Sequence, residues 1–216
     1  MPFRDRRHAG AVLAARLERY ANRPDVVVLA LPRGGVPVAF EVARALRAPL
    51  DVFLVRKLGA PGQEELALGA IASGGVRILN QEIVSELGIT APELEAVAAR
   101  EDRELRRREG LYRGSRPRVP VTGRAAILVD DGLATGASMK AAVAALRREQ
   151  PAEIVVAVPV GAPDTCEALR LDVDDVVCVI TPEPLMAVGA WYEDFAQTSD
   201  AEVKQLLDEA ARVPAA

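Results

Sequence analysis

Short, unbroken apolar runs recur along the chain. Each is closed by glycine, proline or charge and followed by a segment whose apolar positions repeat at helical spacing. Val26 to Leu31 is the first such run. It stops at Pro32-Arg33-Gly34-Gly35 and gives way to a helix from about Val36 to Arg47. Asp51 to Val55 is a second strand. Ile127-Leu128-Val129 is a third, and helical spacing opens again near Ser138 and lasts to about Gln150. Glu153 to Pro159, a helix near Pro163 to Leu171, a strand from Asp175 to Ile180 and a helix from about Ser199 to Ala211 complete the series. Ahead of these, Asp5 caps a helix from Arg6 to Tyr20 with Ala9, Val12, Leu13, Leu17 and Tyr20 on one face. Runs without polar alternation fit strands covered on both faces. Their alternation with helices predicts an α/β fold, a mainly parallel central sheet with helices on both sides.

The interval between the second and third strands differs. Gly59-Ala60-Pro61-Gly62-Gln63 reads as a turn, Leu66 to Ala72 as a strand and Ser73-Gly74-Gly75 as another turn. A long charged helix runs from Thr90 or Ala91 to Arg113, with a thin stripe of Leu94, Val97, Ala98, Leu105 and Tyr112. From Arg100 to Arg118 there are eight arginines against four acidic residues. A solvated helix with internal ion pairs is the first reading of that run, oligomer contacts the second and RNA binding the third. A homodimer is compatible with the second.

At 216 residues, half of them hydrophobic, the chain is expected to form one domain with a sizeable core. A net charge of −4 argues against a generally nucleic-acid-binding surface. No basic start with an apolar core follows Met1, and no apolar run approaches the ~18 residues of a membrane span. A cytoplasmic protein is expected. Cys166 and Cys178 match neither a metal motif nor a redox pair, so reduced buried thiols are the default. The one histidine, His8, leaves no room for a histidine-rich metal site. The Arg4-Asp5-Arg6-Arg7 cluster beside it reads as solvated first, with reach to the substrate side of the site as the alternative.

Candidate chemistry concentrates where the third strand ends. Asp130 and Asp131 are followed by Gly132-Leu133-Ala134-Thr135-Gly136-Ala137-Ser138, a loop of small residues at a helix start. Glycines let the backbone approach a ligand, and the free N–H groups and dipole of a helix start attract phosphate. Thr135 and Ser138 add hydroxyl donors. Carboxylates would repel a phosphate but suit hydroxyl groups or a metal carried by the same ligand, so the ligand is expected to be a sugar phosphate. Arg33-Gly34-Gly35 forms a second glycine turn with a cation. In open α/β sheets the crevice lies beyond the carboxyl ends of the strands, which puts both turns on one edge. Arg56 and Lys57 follow the second strand.

Val129-Asp130-Asp131-Gly132-Leu133-Ala134-Thr135-Gly136-Ala137-Ser138 resembles the phosphoribosyl pyrophosphate signature of the type I phosphoribosyltransferases. The resemblance implies that Asp130 and Asp131 hold the ribose hydroxyls, that Gly132 to Ser138 wrap the 5-phosphate, and that Arg33, Gly34, Gly35 and Lys57 meet the pyrophosphate. It implies Mg2+, bound mainly through ligand oxygens with Asp130, Asp131 or Asp194 near it. It also implies a mobile flap, placed with the helical insertion at about residues 56–118, and a C-terminal hood at about 181–216 with an N-terminal contribution. Val188-Gly189-Ala190-Trp191-Tyr192-Glu193-Asp194-Phe195 is similar to the hood of hypoxanthine-guanine members, with one extra residue. Met186, Val188, Trp191 and Asp194 are the base-side candidates, and packing is the alternative use of these aromatics. Ala134 stands where hypoxanthine-guanine members carry an Asp that is a candidate base for the purine proton. The expected activity is transfer of phosphoribose to a nitrogen nucleophile, a nucleobase or another small-molecule acceptor, with release of pyrophosphate. The other class compatible with these residues is a phosphoribosyl pyrophosphate sensor that regulates RNA or DNA.

Overall fold

The computed structural model describes residues 2–212, the side chains of residues 64 and 65 excepted. Met1 and the last four residues of the expected C-terminal segment lie outside the described residues. Five parallel strands form the central sheet: β1 (Val26–Ala30), β2 (Leu50–Val52), β6 (Ala125–Val129), β7 (Glu153–Val160) and β8 (Asp175–Ile180), in the order β2-β1-β6-β7-β8. Every residue of β1 and β6 is buried, as unbroken apolar runs require. Successive residues point to opposite faces. Val26, Val28 and Ala30 join the core beneath α1 (Arg6–Arg16), α2 (Gly35–Leu46) and α7 (Asp200–Ala210), whereas Val27 and Leu29 join the core beneath α5 (Ala137–Arg147) and α6 (Pro163–Leu169).

The chain leaves β1 towards β2 on one side and leaves β6 towards β7 on the other, although β1 and β6 are paired neighbours from Val26↔Ala125 to Ala30↔Val129. The strand order therefore reverses between them. A crevice opens outside the carboxyl ends of two strands at such a point, and those ends carry Pro32-Arg33-Gly34-Gly35 and Asp130-Asp131.

The expected strand from Asp51 to Val55 is two strands. β2 ends at Val52, and Val55 opens β3 (Val55–Ala60) of a separate antiparallel sheet with β4 (Gln63–Ala72) and β5 (Val76–Leu79). Arg56 and Lys57 thus lie inside a hairpin strand, not at the carboxyl end of a sheet strand. Apolar character runs straight through the joint, which hid the break from the residue pattern. α3 (Gln81–Glu86) follows β5.

The long helix has the predicted bounds, α4 (Ala91–Arg113). A capping box fixes its start: the Thr90 N–H and hydroxyl both donate to Glu93, at 2.9 and 2.6 Å. Val97, Ala98, Leu105 and Tyr112 are buried. The arginines of α4 find acids close by: Arg106 with Asp102, Arg107 and Arg108 with Glu104, Arg100 with Glu101. Arg113 is buried against Asp51 at 2.7 Å and ties the end of α4 to β2. Among the described residues no helix is long and apolar enough to cross a membrane.

Candidate functional site

The loop after β6 is held from outside, which leaves its own amides open. Leu133 N–H donates to the Val160 carbonyl, Ala162 N–H to the Leu133 carbonyl, and the Thr165 hydroxyl to the Ala134 carbonyl at 2.7 Å. Gly136 adopts the left-handed conformation (φ 69°) and starts α5. Among the described residues, the N–H groups of Gly132 and of Ala134 to Met139 have no acceptor. Ala134, Thr135, Ala137 and Ser138 are exposed. The result is a concave row of donors at a helix start, a geometry that favours an anion.

The second glycine turn lies against this loop. Leu31 N–H donates to the Val129 carbonyl at 2.9 Å, and the Pro32–Arg33 peptide is cis. A Cβ at Gly35 would stand 2.7 Å from Val129 O and 2.9 Å from Asp130 Cα, and one at Gly34 would stand 2.0 Å from Asp131 Oδ2. Only glycine permits that approach. Arg33 itself turns outward to Asp200 on α7, with 3.9 Å between Nη1 and Oδ1.

The two carboxylates have different surroundings. Asp131 Oδ2 accepts from Arg6 Nε at 2.8 Å, and both side chains are largely buried. Arg6 also donates to the Ala196 carbonyl and stacks on Phe195, 3.8 Å from the ring centroid. The Tyr192 hydroxyl donates to the Asp131 carbonyl at 2.6 Å. Phe3 and Arg4 pair with the backbone of residues 191–194, so the N-terminus and the C-terminal segment together flank Asp131. Arg6 is thus the member of the Arg4–Arg7 cluster that reaches the candidate site, as the second reading of that cluster had it, and its side chain is largely buried rather than solvated. No local pattern pairs residues 125 positions apart.

Asp130 turns the other way. Its Oδ1 accepts from the Asp131 N–H, and it lines a cavity of about 100 Å³ with Pro32, Arg56, Arg108 and Ser138. Burial, then the charge of Asp131, pushes its carboxyl well above the usual range, against smaller opposing effects of the Asp131 N–H and then of Arg6. A carboxyl whose pKa rises on folding costs stability once the unfolded chain has lost its proton. Stability then falls as pH climbs from the unfolded value towards the folded one, and no cost remains below the unfolded value. Asp130→Asn is therefore expected to melt higher than wild type at pH 8. The gain should shrink as pH drops towards the ordinary carboxyl range. Thermal melts at several pH values measure it, and an Asn variant less stable at pH 8 would contradict this account.

The remaining candidates are dispersed. Lys57, one residue on from Arg56, faces a separate groove of about 930 Å³ with Ser138 and Lys140. Val188 packs on Gly132, where an added Cβ would meet its Cγ1 at 2.5 Å. Trp191 is partly buried beside Tyr192 and Phe195, whereas Met186 is 84% exposed. Asp194 is exposed, accepts from the Ala196 N–H, and lines a cleft with Arg6 and Arg7 rather than the Asp130 cavity. Among the described residues no three His, Cys, Asp or Glu side chains could hold a metal. The residues fit a Mg2+ ion only as one that uses one or two carboxylates and draws its other ligands from a phosphorylated substrate and water. Cys166 and Cys178, distant in the sequence pattern, are neighbours in the fold, both against Gly161.

The family model described as the phosphoribosyl transferase domain matches residues 6–193. Two Mycobacterium tuberculosis proteins, named "Putative phosphoribosyl transferase Rv0571c" and "Putative phosphoribosyl transferase MT0597", are each 50% identical over 210 residues, 97% of this chain. That stretch is 47% of their own length, so the chain spans about half of the curated relatives it matches. The crystal structure of TT1426 from Thermus thermophilus is 48% identical and superimposes with a TM-score of 0.85 over 97% of this chain and 99% of that one.

Proposed function

The chain belongs to the phosphoribosyl transferase domain family, and from that membership we propose that it transfers the 5-phosphoribosyl group of phosphoribosyl pyrophosphate to a nitrogen nucleophile, with a nucleobase as the first candidate. The observation that carries this reading is the row of amides at Gly132 and from Ala134 to Met139, without an acceptor among the described residues, beside Asp130 and Asp131 and facing the Gly34-Gly35 turn. The amides and the hydroxyls of Thr135 and Ser138 take the 5-phosphate. Asp131 keeps Oδ1 for a ribose hydroxyl while Oδ2 stays on Arg6, and Asp130 takes the neighbouring hydroxyl. The Arg33 turn lies along the pyrophosphate, and Lys57 adds charge from the adjoining groove.

In the reaction the bond from the anomeric carbon to pyrophosphate breaks, the leaving oxygen keeps the electron pair, and a bond from nitrogen to carbon forms. Negative charge grows on the leaving group, and fixed donors aimed at it supply the main rate enhancement. Asp130 would hold a Mg2+ ion brought with the substrate, which would supply further charge neutralisation. Ala134 offers no proton acceptor, so the proton carried by the attacking nitrogen base leaves to solvent or to an oxygen of the departing pyrophosphate. The antiparallel sheet β3-β4-β5 serves as the flap that keeps water from a ribosyl cation. Residues 181–212 with the N-terminal strand pairing serve as the hood, where Val188, Trp191 and Asp194 stand near the acceptor. Ion pairing of the α4 arginines within their own helix leaves less charge for RNA and favours the enzyme over the regulator.

The test is a screen of nucleobases and small amines with phosphoribosyl pyrophosphate and Mg2+, following pyrophosphate release. Turnover with one acceptor class supports the reading. Absence of both turnover and phosphoribosyl pyrophosphate binding by calorimetry would end it.

A further inference from the structure

The sequence and the family resemblance direct attention to Arg33 and Lys57 as the cations for pyrophosphate, but the cavity beside Asp130 is lined by two others. We propose that Arg56 of β3 and Arg108 of α4 form a guanidinium clamp for the diphosphate end of the substrate. This rests on the phosphoribosyl transfer reading and names the groups that would hold its leaving group.

Arg56 and Lys57 are successive strand residues, so their side chains leave opposite faces of β3. Arg56 takes the face towards α4 and the Asp130 cavity, and Lys57 the face towards the groove with Lys140. Both clamp arginines are fixed from behind. Arg56 Nε donates to Glu101 at 2.6 Å, and Arg108 Nε to Glu104 at 2.8 Å. Glu101 is buried and also accepts from Arg100, and Glu104 also accepts from Arg107. Among the described residues, these Nε bonds are the only hydrogen bonds the two guanidiniums make. Their outer nitrogens are thus left for a ligand, each as a planar pair of donors. Such forks match phosphate oxygens two at a time, which a lysine cannot do.

The other walls of the cavity select the anion. Pro32 begins the glycine turn, Ser138 lies in the first turn of α5, and Asp130 adds a carboxylate. A bare anion would be repelled by Asp130. A diphosphate carrying a divalent cation would suit all of them, since Asp130 could hold the cation and the guanidiniums the phosphate oxygens. The arginine-rich helix then has a use in this chain beyond its own ion pairs: it carries one jaw of the clamp, and β3 of the hairpin sheet carries the other.

Calorimetry with two separate probes tests this, magnesium pyrophosphate and ribose 5-phosphate. Arg56→Gln and Arg108→Gln are each expected to weaken pyrophosphate about tenfold or more and to leave ribose 5-phosphate unchanged. Arg103→Gln, exposed on the same helix, should leave both unchanged. Wild-type pyrophosphate affinity in both clamp variants, where the unaltered protein binds both probes, overturns the clamp and spares the transferase reading. An unaltered protein that binds neither probe overturns both. Equal loss of the two probes in a clamp variant assigns the arginine to structure and overturns its place in the clamp. If circular dichroism shows a glutamine variant unfolded, Arg108→Lys keeps the charge without the fork. Pyrophosphate binding weakened there alone supports the clamp, and undiminished binding overturns it.

Discussion

Asp131→Asn is expected to abolish measurable binding of phosphoribosyl pyrophosphate and, unlike an ordinary binding-site change, to lower the thermal midpoint by several degrees. The first effect follows from loss of a charged acceptor for a ribose hydroxyl, worth roughly 10–100-fold alone, together with release of the Arg6 contact that orients it. The second follows from Arg6. Its side chain is only 11% exposed and is held by Asp131, the Ala196 carbonyl and the Phe195 ring. Removing the carboxylate leaves a mostly buried guanidinium without its counter-charge, at a cost of about 3 kcal/mol. For a chain of this size each kcal/mol is about 2–4 °C. Arg6→Gln with Asp131→Asn should recover part of the stability and none of the binding, since the double variant buries no lone charge. Melting curves and calorimetry on the four proteins decide it. An Asp131→Asn protein as stable as wild type would mean that the Arg6 pair contributes nothing in solution.

Gly35→Ala should be the more damaging of two neighbouring glycine substitutions. Its new methyl group would meet main chain, Val129 O at 2.7 Å and Asp130 Cα at 2.9 Å, and neither atom can rotate away. The carboxyl ends of β1 and β6 would have to part, at about 2–3 kcal/mol, and the crevice between them would open. At Gly34 the obstacle is the Asp131 carboxylate, 2.0 Å from the methyl position, and a side chain can swing aside. Gly34→Ala should therefore keep more of its stability and still lose ligand, because Asp131 is driven off Arg6. Denaturant midpoints should fall in the order wild type, Gly34→Ala, Gly35→Ala, with both variants impaired in binding. The reverse order would show that the turn does not sit where this packing requires.

These two substitutions locate the same dependence from two directions. The carboxylate proposed to hold a ribose hydroxyl is also half of an ion pair holding helix α1 and the C-terminal segment to the sheet edge. In the proposed roles function and stability share Asp131, whereas at Asp130 they oppose each other: that carboxyl lies beside a like charge at the cost of stability. A polar group that destabilises the fold it sits in is best accounted for by what it binds.

Much of this was legible in the residues alone. Unbroken apolar runs fit cover on both faces, so Val26 to Leu31, Ile127 to Val129 and Glu153 to Pro159 announced a parallel sheet. The extent of α4 was legible as a charged run with a thin apolar stripe from Thr90 or Ala91 to Arg113, because both signals lie in consecutive residues. The acid pair and glycine loop were legible for the same reason, since strand end, turn and helix start are contiguous. What the residues could not disclose depends on contacts across long separations. The break between β2 and β3 lies within one apolar stretch and is decided by which sheet each half joins. Arg6 reaches Asp131, Arg108 reaches the cavity of Asp130, and Cys166 meets Cys178 only because the parallel strand order brings their elements together. Periodicity records which face of an element is dry. It carries no information about which distant charge will be waiting on the other side of a strand end, and that pairing is what divides the two aspartates of this site between structure and ligand.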